Sequence, residues 1–200
     1  MDRRAFLLLM PGAVAACAAG PRDLVSPEEV AAAKYVHGAP YSITLLTMIN
    51  NRTGGGAHSS IMINAPSQRV IFDPAGSVRH PRIVEREDVL YGVTPQIVDF
   101  YERAHARETY HVVIQNKPVP GEVAEQALRL AEAKGAAPQA FCSNYTSSIL
   151  VQLPGFDSIR PTFFPKKLME QYGALPGVTE RKLFENDADD KQIAIDAFQG

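Results

Sequence analysis

Acyl transfer needs a nucleophile, a base and a group that orients the base, and this 200-residue chain holds one set of residues suited to the task. Cys142 lies in PQAFCSNYTSSIL, after the breaker-rich KGAAPQ and before a helical stretch. That spacing predicts a thiol in the first turn of a helix. There the helix dipole favours the thiolate, and first-turn N–H groups, which have no partner within the helix, can donate to an oxyanion. Free cysteine is also a common small core residue. The polar composition of CSNYTSS weighs against an apolar core segment, and nucleophile and core thiol both stand as readings of the residue alone.

Five histidines can supply the imidazole. His37 falls in a Gly/Pro linker and His105 near a helix end, both expected to face solvent. His80 sits in the loop VRHPR, and His111 alternates within a strand. His58 differs, because it opens a strand directly after Gly54, Gly55 and Gly56, where a loop without side chains leaves room for a substrate backbone. A base also needs a partner for its second ring nitrogen. If residues 64–67 form a four-residue hairpin loop, Ile63 pairs with Gln68 and His58 stands opposite Asp73. A loop longer by one residue moves Asp73 to the other face. DPAGS is equally good turn chemistry, so Asp73 reads as orienter or as turn residue. The histidines and acids show no zinc-type spacing, and neither metal nor cofactor is expected.

The elements that must position these groups follow from periodicity. SPEEVAAAKY predicts a short helix capped by Ser26 and Glu29. YSITLLTMIN predicts a strand, with Tyr41, Ile43, Leu45, Thr47 and Ile49 on one face. AHSSIMI and RVIFD predict a hairpin with Pro66 at its tip. Residues 77–92 read as irregular, with a short strand around Val89. Thr94 and Pro95 begin a helix carrying Ile97, Val98, Tyr101 and Ala104 on one stripe. TYHVVIQ is β-rich, and GEVAEQALRLAEAKG is the clearest helix, stopped by Gly135. PKKLMEQYG reads as a short helix, and residues 185–191 as a solvated acidic segment. Strands and helices mix without regular βαβ alternation, which predicts an α+β domain with a small, mainly antiparallel sheet packed by helices.

Residues 1–17 read as an export signal: Arg3 and Arg4 precede an apolar run too short to span a bilayer, and VAAC is a lipobox pattern. Cys17 is then the lipidated first residue of the mature chain, and RRAFL also resembles a twin-arginine export motif, with Asp2 where Ser or Thr is usual. A plain secretory signal with an incidental cysteine is the alternative. The expectation is an exported, periplasmic, membrane-anchored lipoprotein, held through its acyl chains. Lipidation of Cys17 leaves Cys142 without a disulfide partner, so a packed core must hold the fold. A net charge of −2 gives no reason to expect nucleic acid as a partner.

Taken together, AHSSIMI…RVIFDPAG, the strand and helix of TYHVVIQNKPVPGEVAEQALRLAEAKG, and FCSNYTSSIL resemble the circularly permuted NlpC/papain-like superfamily. That group includes YiiX-like proteins, lecithin:retinol acyltransferase-like proteins and the N-terminal domain of Lnb-type lipoproteins. The resemblance covers residues 41–153. It departs from the pattern at Asp73, where several relatives carry another polar residue, and the segment after Pro154 matches nothing in it. It implies a permuted papain-like catalytic domain over 41–160, after a linker and short helix at 18–40, with 161–200 as a C-terminal extension. It further implies a cysteine-dependent hydrolase or acyltransferase. Cys142 is then the nucleophile, His58 the base and later acid, Asp73 the orienter, and Gln139 the side-chain candidate for the oxyanion. For an exported lipoprotein the nearest abundant amide is cell-wall peptide. An acyl-ester enzyme on the same fold and a non-catalytic binding module are the other two readings.

Overall fold

The computed structural model describes residues 25–76 and 78–199. The expected export segment 1–17 and the lipobox Cys17 lie outside the described residues. Among the described residues no helix is long and apolar enough to cross a membrane.

The order along the chain is α1 (Pro27–Ala32), β1 (Ser42–Asn50), β2 (Gly56–Asn64), β3 (Arg69–Phe72), β4 (Glu85–Arg86), β5 (Val89–Leu90), α2 (Pro95–His105), β6 (Tyr110–Pro118), α3 (Gly121–Lys134), α4 (Cys142–Leu150), α5 (Pro165–Gly173), β7 (Thr179–Leu183) and α6 (Lys191–Ala197). The fold is α+β. Among the described residues seven strands form one sheet in the order β4-β5-β3-β2-β1-β6-β7, with every neighbouring pair antiparallel.

Alternation sorts the central strands between two cores. Ile43 and Leu45 of β1 and Ile61 and Ile63 of β2 face α3, α4 and α5, where they meet Ala127, Leu128, Ile149, Leu150, Leu168 and Tyr172. Leu46 and Met48 of β1 and Ile71 of β3 face α2 and α6, packing on Ile97, Phe100, Tyr101 and Ile195. With helices on both faces, β1 is buried along nearly its whole length.

Two local features differ from the expected layout. The hairpin loop comprises residues 65–68, closed by a bond from Ala65 N–H to the Gln68 carbonyl, so Asn64 pairs with Arg69 and Ile61 with Phe72. The register is therefore displaced by two residues. Continued past Phe72, it sets Ser60, rather than His58, across from Asp73. Because side chains alternate with period two, the displacement leaves His58 and Asp73 on one face as diagonal neighbours. The second feature concerns residues 161–199, which extend this same sheet. α5 buries Leu168 and Tyr172, the Tyr172 hydroxyl donates to the Ile43 carbonyl of β1 at 2.7 Å, and β7 pairs with β6.

Candidate functional site

Cys142 is the first residue of α4, behind Phe141 as N-cap. Phe141 has no side-chain acceptor to cap the helix, so the first-turn N–H groups keep their polarity toward the sulfur side. α4 packs against β2, and the Ser59 and Ser143 hydroxyls bond across that contact at 2.9 Å, one residue beyond His58 and Cys142 respectively. Ser143, Thr146 and Ser147 are fully buried. The polarity of CSNYTSS thus does not mean exposure: small hydroxyl side chains let the helix approach the sheet closely. Ser147 in turn accepts from the Thr162 N–H.

His58 lies two residues into β2, just after a β-bulge. The register passes from Met48 with His58 to Ile49 with Gly56, leaving Ala57 surplus. A bulge bends the strand locally and re-aims the next side chain. The His58 ring engages Asp73 Oδ1 through Nε2 at 2.6 Å, with the two side chains 18 % and 4 % exposed. The Cys142 thiol lies near enough to the ring for the two groups to act on each other's charge. The three sequence-predicted residues therefore come together, with His58 bonded to Asp73 and interacting with the Cys142 thiol.

The charges of these three groups are coupled. Burial alone would raise the Cys142 thiol, but the bond and charge of His58, the Ser59 backbone and the Ser143 hydroxyl bring it down to about 7. Burial would lower the His58 imidazole, yet the charge and hydrogen bond of Asp73, helped by Cys142, raise it to about 10. Burial would likewise raise Asp73, and His58, His105 and Tyr101 hold it at about 2. Between pH 7 and 10 these directions favour a thiolate–imidazolium pair over the neutral one.

Four further residues complete the site. Tyr101 of α2 donates its O–H to Asp73 Oδ1 at 2.7 Å and lies 2.9 Å from the Ser60 hydroxyl. The sequence shows Tyr101 only as part of an apolar stripe, and its hydroxyl gives no periodic signal. His105, expected in solvent, is half-buried and stacks on the His58 ring at 6.0 Å. Burial lowers His105 to about 4, which keeps it neutral, and its Nδ1–H donates to the Tyr101 carbonyl at 2.8 Å. Asp88 Oδ2 accepts from Ala75 N–H at 2.8 Å and Ala137 N–H at 2.7 Å, while its carbonyl accepts from Asp73 N–H at 2.8 Å. One buried carboxylate thereby ties the loop after Asp73 to the loop before Cys142. Last, Gly76 lies under Asp73: a Cβ there would meet Asp73 Oδ2 at 1.8 Å.

One sequence expectation is corrected. The space at Gly56 is filled by α5, not left for substrate, since a Cβ would meet the Lys166 backbone nitrogen at 2.5 Å. Gln139, the side-chain candidate for the oxyanion, lies exposed in a turn. The remaining histidines are remote: His37 contacts Tyr35, His80 lies against Phe198, and His111 bonds Asn51. Among the described residues, no group of three or more His, Cys, Asp or Glu side chains is arranged to hold a metal ion.

Comparison with known proteins finds no family model, no curated protein and no solved structure that matches the chain.

Proposed function

We propose that the chain is a cysteine-dependent acyl-transfer enzyme of permuted papain-like architecture, acting as a hydrolase on an amide such as a cell-wall peptide. The observation that carries this reading is the grouping of Cys142, at a helix N-terminus, with His58, which Asp73 holds at 2.6 Å. A cysteine kept only for packing needs no such charge partner, and burial without one would raise its pKa.

In the proposed reaction the Cys142 thiolate attacks the carbonyl carbon, and the carbonyl π pair moves onto oxygen. First-turn N–H groups of α4 donate to that oxyanion. His58, protonated and held by Asp73, gives its proton to the leaving nitrogen as the C–N bond breaks. An acyl-thioester remains on Cys142. His58, now neutral, takes a proton from water as the water oxygen adds to the thioester. Collapse of that adduct expels the thiolate and releases the acid, while His58 again carries the proton. Asp73 holds the ring orientation through both halves.

The same steps serve an ester if the leaving atom is oxygen, or a transferase if an alcohol or amine replaces water. Phe141, next to the nucleophile, and Phe163 beside it are exposed. That observation favours a substrate with an apolar acyl group as the second reading. The export and lipid anchoring expected from residues 1–17 belong to the same proposal and would set the reaction at the periplasmic face of a membrane.

Iodoacetamide alkylation of Cys142 across pH tests the reading. Lowering a thiol from its ordinary ~8.5 to 7 raises the thiolate fraction at pH 6 about thirty-fold, and the accompanying loss of nucleophilicity takes back about five-fold. The expected gain at pH 6 is therefore only about six-fold, and the midpoint of the profile is the better readout. We expect a midpoint near 7 that moves above 8 in His58→Ala. An ordinary midpoint in both proteins overturns the proposal.

A further inference from the structure

We propose that the surface beside Cys142 docks on an anionic lipid bilayer, with Phe141, Phe163 and Phe164 entering the interface and Lys166 and Lys167 meeting lipid headgroups. The inference goes beyond the reaction proposed above and takes from it only the position of the thiol.

Phe164 is 69 % exposed, Phe163 51 % and Phe141 36 %; Phe141 and Phe163 meet edge to face at 5.1 Å, and Phe164 follows Phe163 in the chain. Scattered exposed hydrophobics need no explanation, but adjacent exposed aromatics at a functional site do. Their positions are fixed by the fold: Phe141 caps α4, and Phe164 caps α5, whose first residues Pro165 and Lys166 sit on Gly56 of β2. The aromatics are thus presented on rigid element ends.

Charge selects the partner. Lys166 and Lys167 follow the aromatics directly, are exposed, and form no ion pair among the described residues; Glu170, one turn further along α5, pairs with neither. Exposed aromatics beside unpaired cations match the layers of a bilayer surface, apolar below and anionic above. A second copy of this chain fits less well, because a two-fold contact through this patch would set the lysines against each other.

The chain has no tryptophan, so Phe164→Trp supplies a single reporter at a position exposed enough to accept it. The test uses the full chain with Cys17→Ser, which removes any acyl anchor at that residue, and vesicles of phosphatidylcholine alone or with one quarter phosphatidylglycerol. The indole emission of Phe164→Trp is expected to shift to the blue on the anionic vesicles. Val36→Trp, at an exposed position in the loop after α1, is expected to stay unshifted. Lys166→Gln with Lys167→Gln should weaken partitioning about thirty-fold, about five-fold for each lysine. Cys142→Ala should bind vesicles like the parent, so that loss of docking and loss of the proposed reaction are read separately. Four outcomes overturn the proposal: no shift in Phe164→Trp, an equal shift in Val36→Trp, equal shifts on neutral and anionic vesicles, or a shift with N-acetyl-Phe-Phe-amide and none with vesicles. The last of these would make the patch a peptide subsite.

Discussion

At the scale of single residues, the site is only as firm as the carboxylate that holds His58. Asp73 Oδ1 serves two donors, His58 and Tyr101. Tyr101→Phe removes one and leaves the Ser60 hydroxyl facing an apolar edge. A hydrogen bond to a charged group is worth about 1.5–3 kcal/mol, and we expect the variant to lose that much in urea unfolding. Its alkylation midpoint should rise by less than in His58→Ala, because the imidazole keeps its own bond to Asp73. Gly76→Ala acts on the same group sterically. With 1.8 Å between the new Cβ and Oδ2, the carboxylate must move. We expect a loss of about 1–3 kcal/mol, as for other overpacked sites, and an alkylation profile moved toward that of His58→Ala. A profile left at the parent midpoint would show that Asp73 does not hold the base. At this scale the sequence was informative where chemistry dictates type: Cys142, His58 and Asp73 could be picked out as a thiol, an imidazole and an acid. Tyr101 and His105 could not, because their roles come from the face of α2 they share and from what lies across it.

At the scale of elements, the pairing of β2 with β3 was legible as a hairpin but not in its register. Turn signals in NAPSQ fit a loop at 64–67 as well as the observed 65–68, and nothing local decides between them. The shared face is kept because the displacement is even. The β4–β5 turn was not legible at all. Glu87 and Asp88 both have positive φ, 53° and 63°, which β-hairpin turns usually reserve for Asn or Gly. Strain of this kind persists only where surrounding contacts fix it. Here the contacts are those of Asp88 with Ala75 and Ala137, and of Glu87 Oε2 with the Ala136 N–H at 2.8 Å. Asp88→Ala should therefore separate the loop carrying Asp73 from the one carrying Cys142. We expect slower alkylation at pH 6 by about the six-fold that the activated thiol gains. Asp88→Asn retains one side-chain oxygen acceptor and should recover part of that rate; equal rates in Asp88→Ala and the parent would remove Asp88 from the account.

At the scale of the whole molecule, the α+β class and the helices with long apolar stripes could be read in advance, while the part played by residues 161–200 could not. TERKL shows no alternation because β7 is an edge strand with mostly exposed side chains, and charges there discourage pairing with other chains. α5 is short, and its Leu168 and Tyr172 acquire meaning only against β1 and β2. Full burial of each is worth about 1.5–3 kcal/mol, so the segment is a working part of the core. A chain ended after residue 160 should lose both the packing on Gly56 and the seventh strand. We expect its Cys142 to alkylate with an ordinary midpoint above 8, measured beside the full chain; an unchanged midpoint near 7 would show the thiol to be independent of α5.

The seat of Pro165 and Lys166 on Gly56 also sets a timetable. During synthesis β2 is made well before α5, the helix that packs on its first residue, so on the dependence expected above the sulfur at 142 would leave the ribosome as an ordinary thiol. Only when α5 has followed would it acquire the reactivity proposed for it, and unfinished chains would carry an ordinary thiol among the other proteins of the cell.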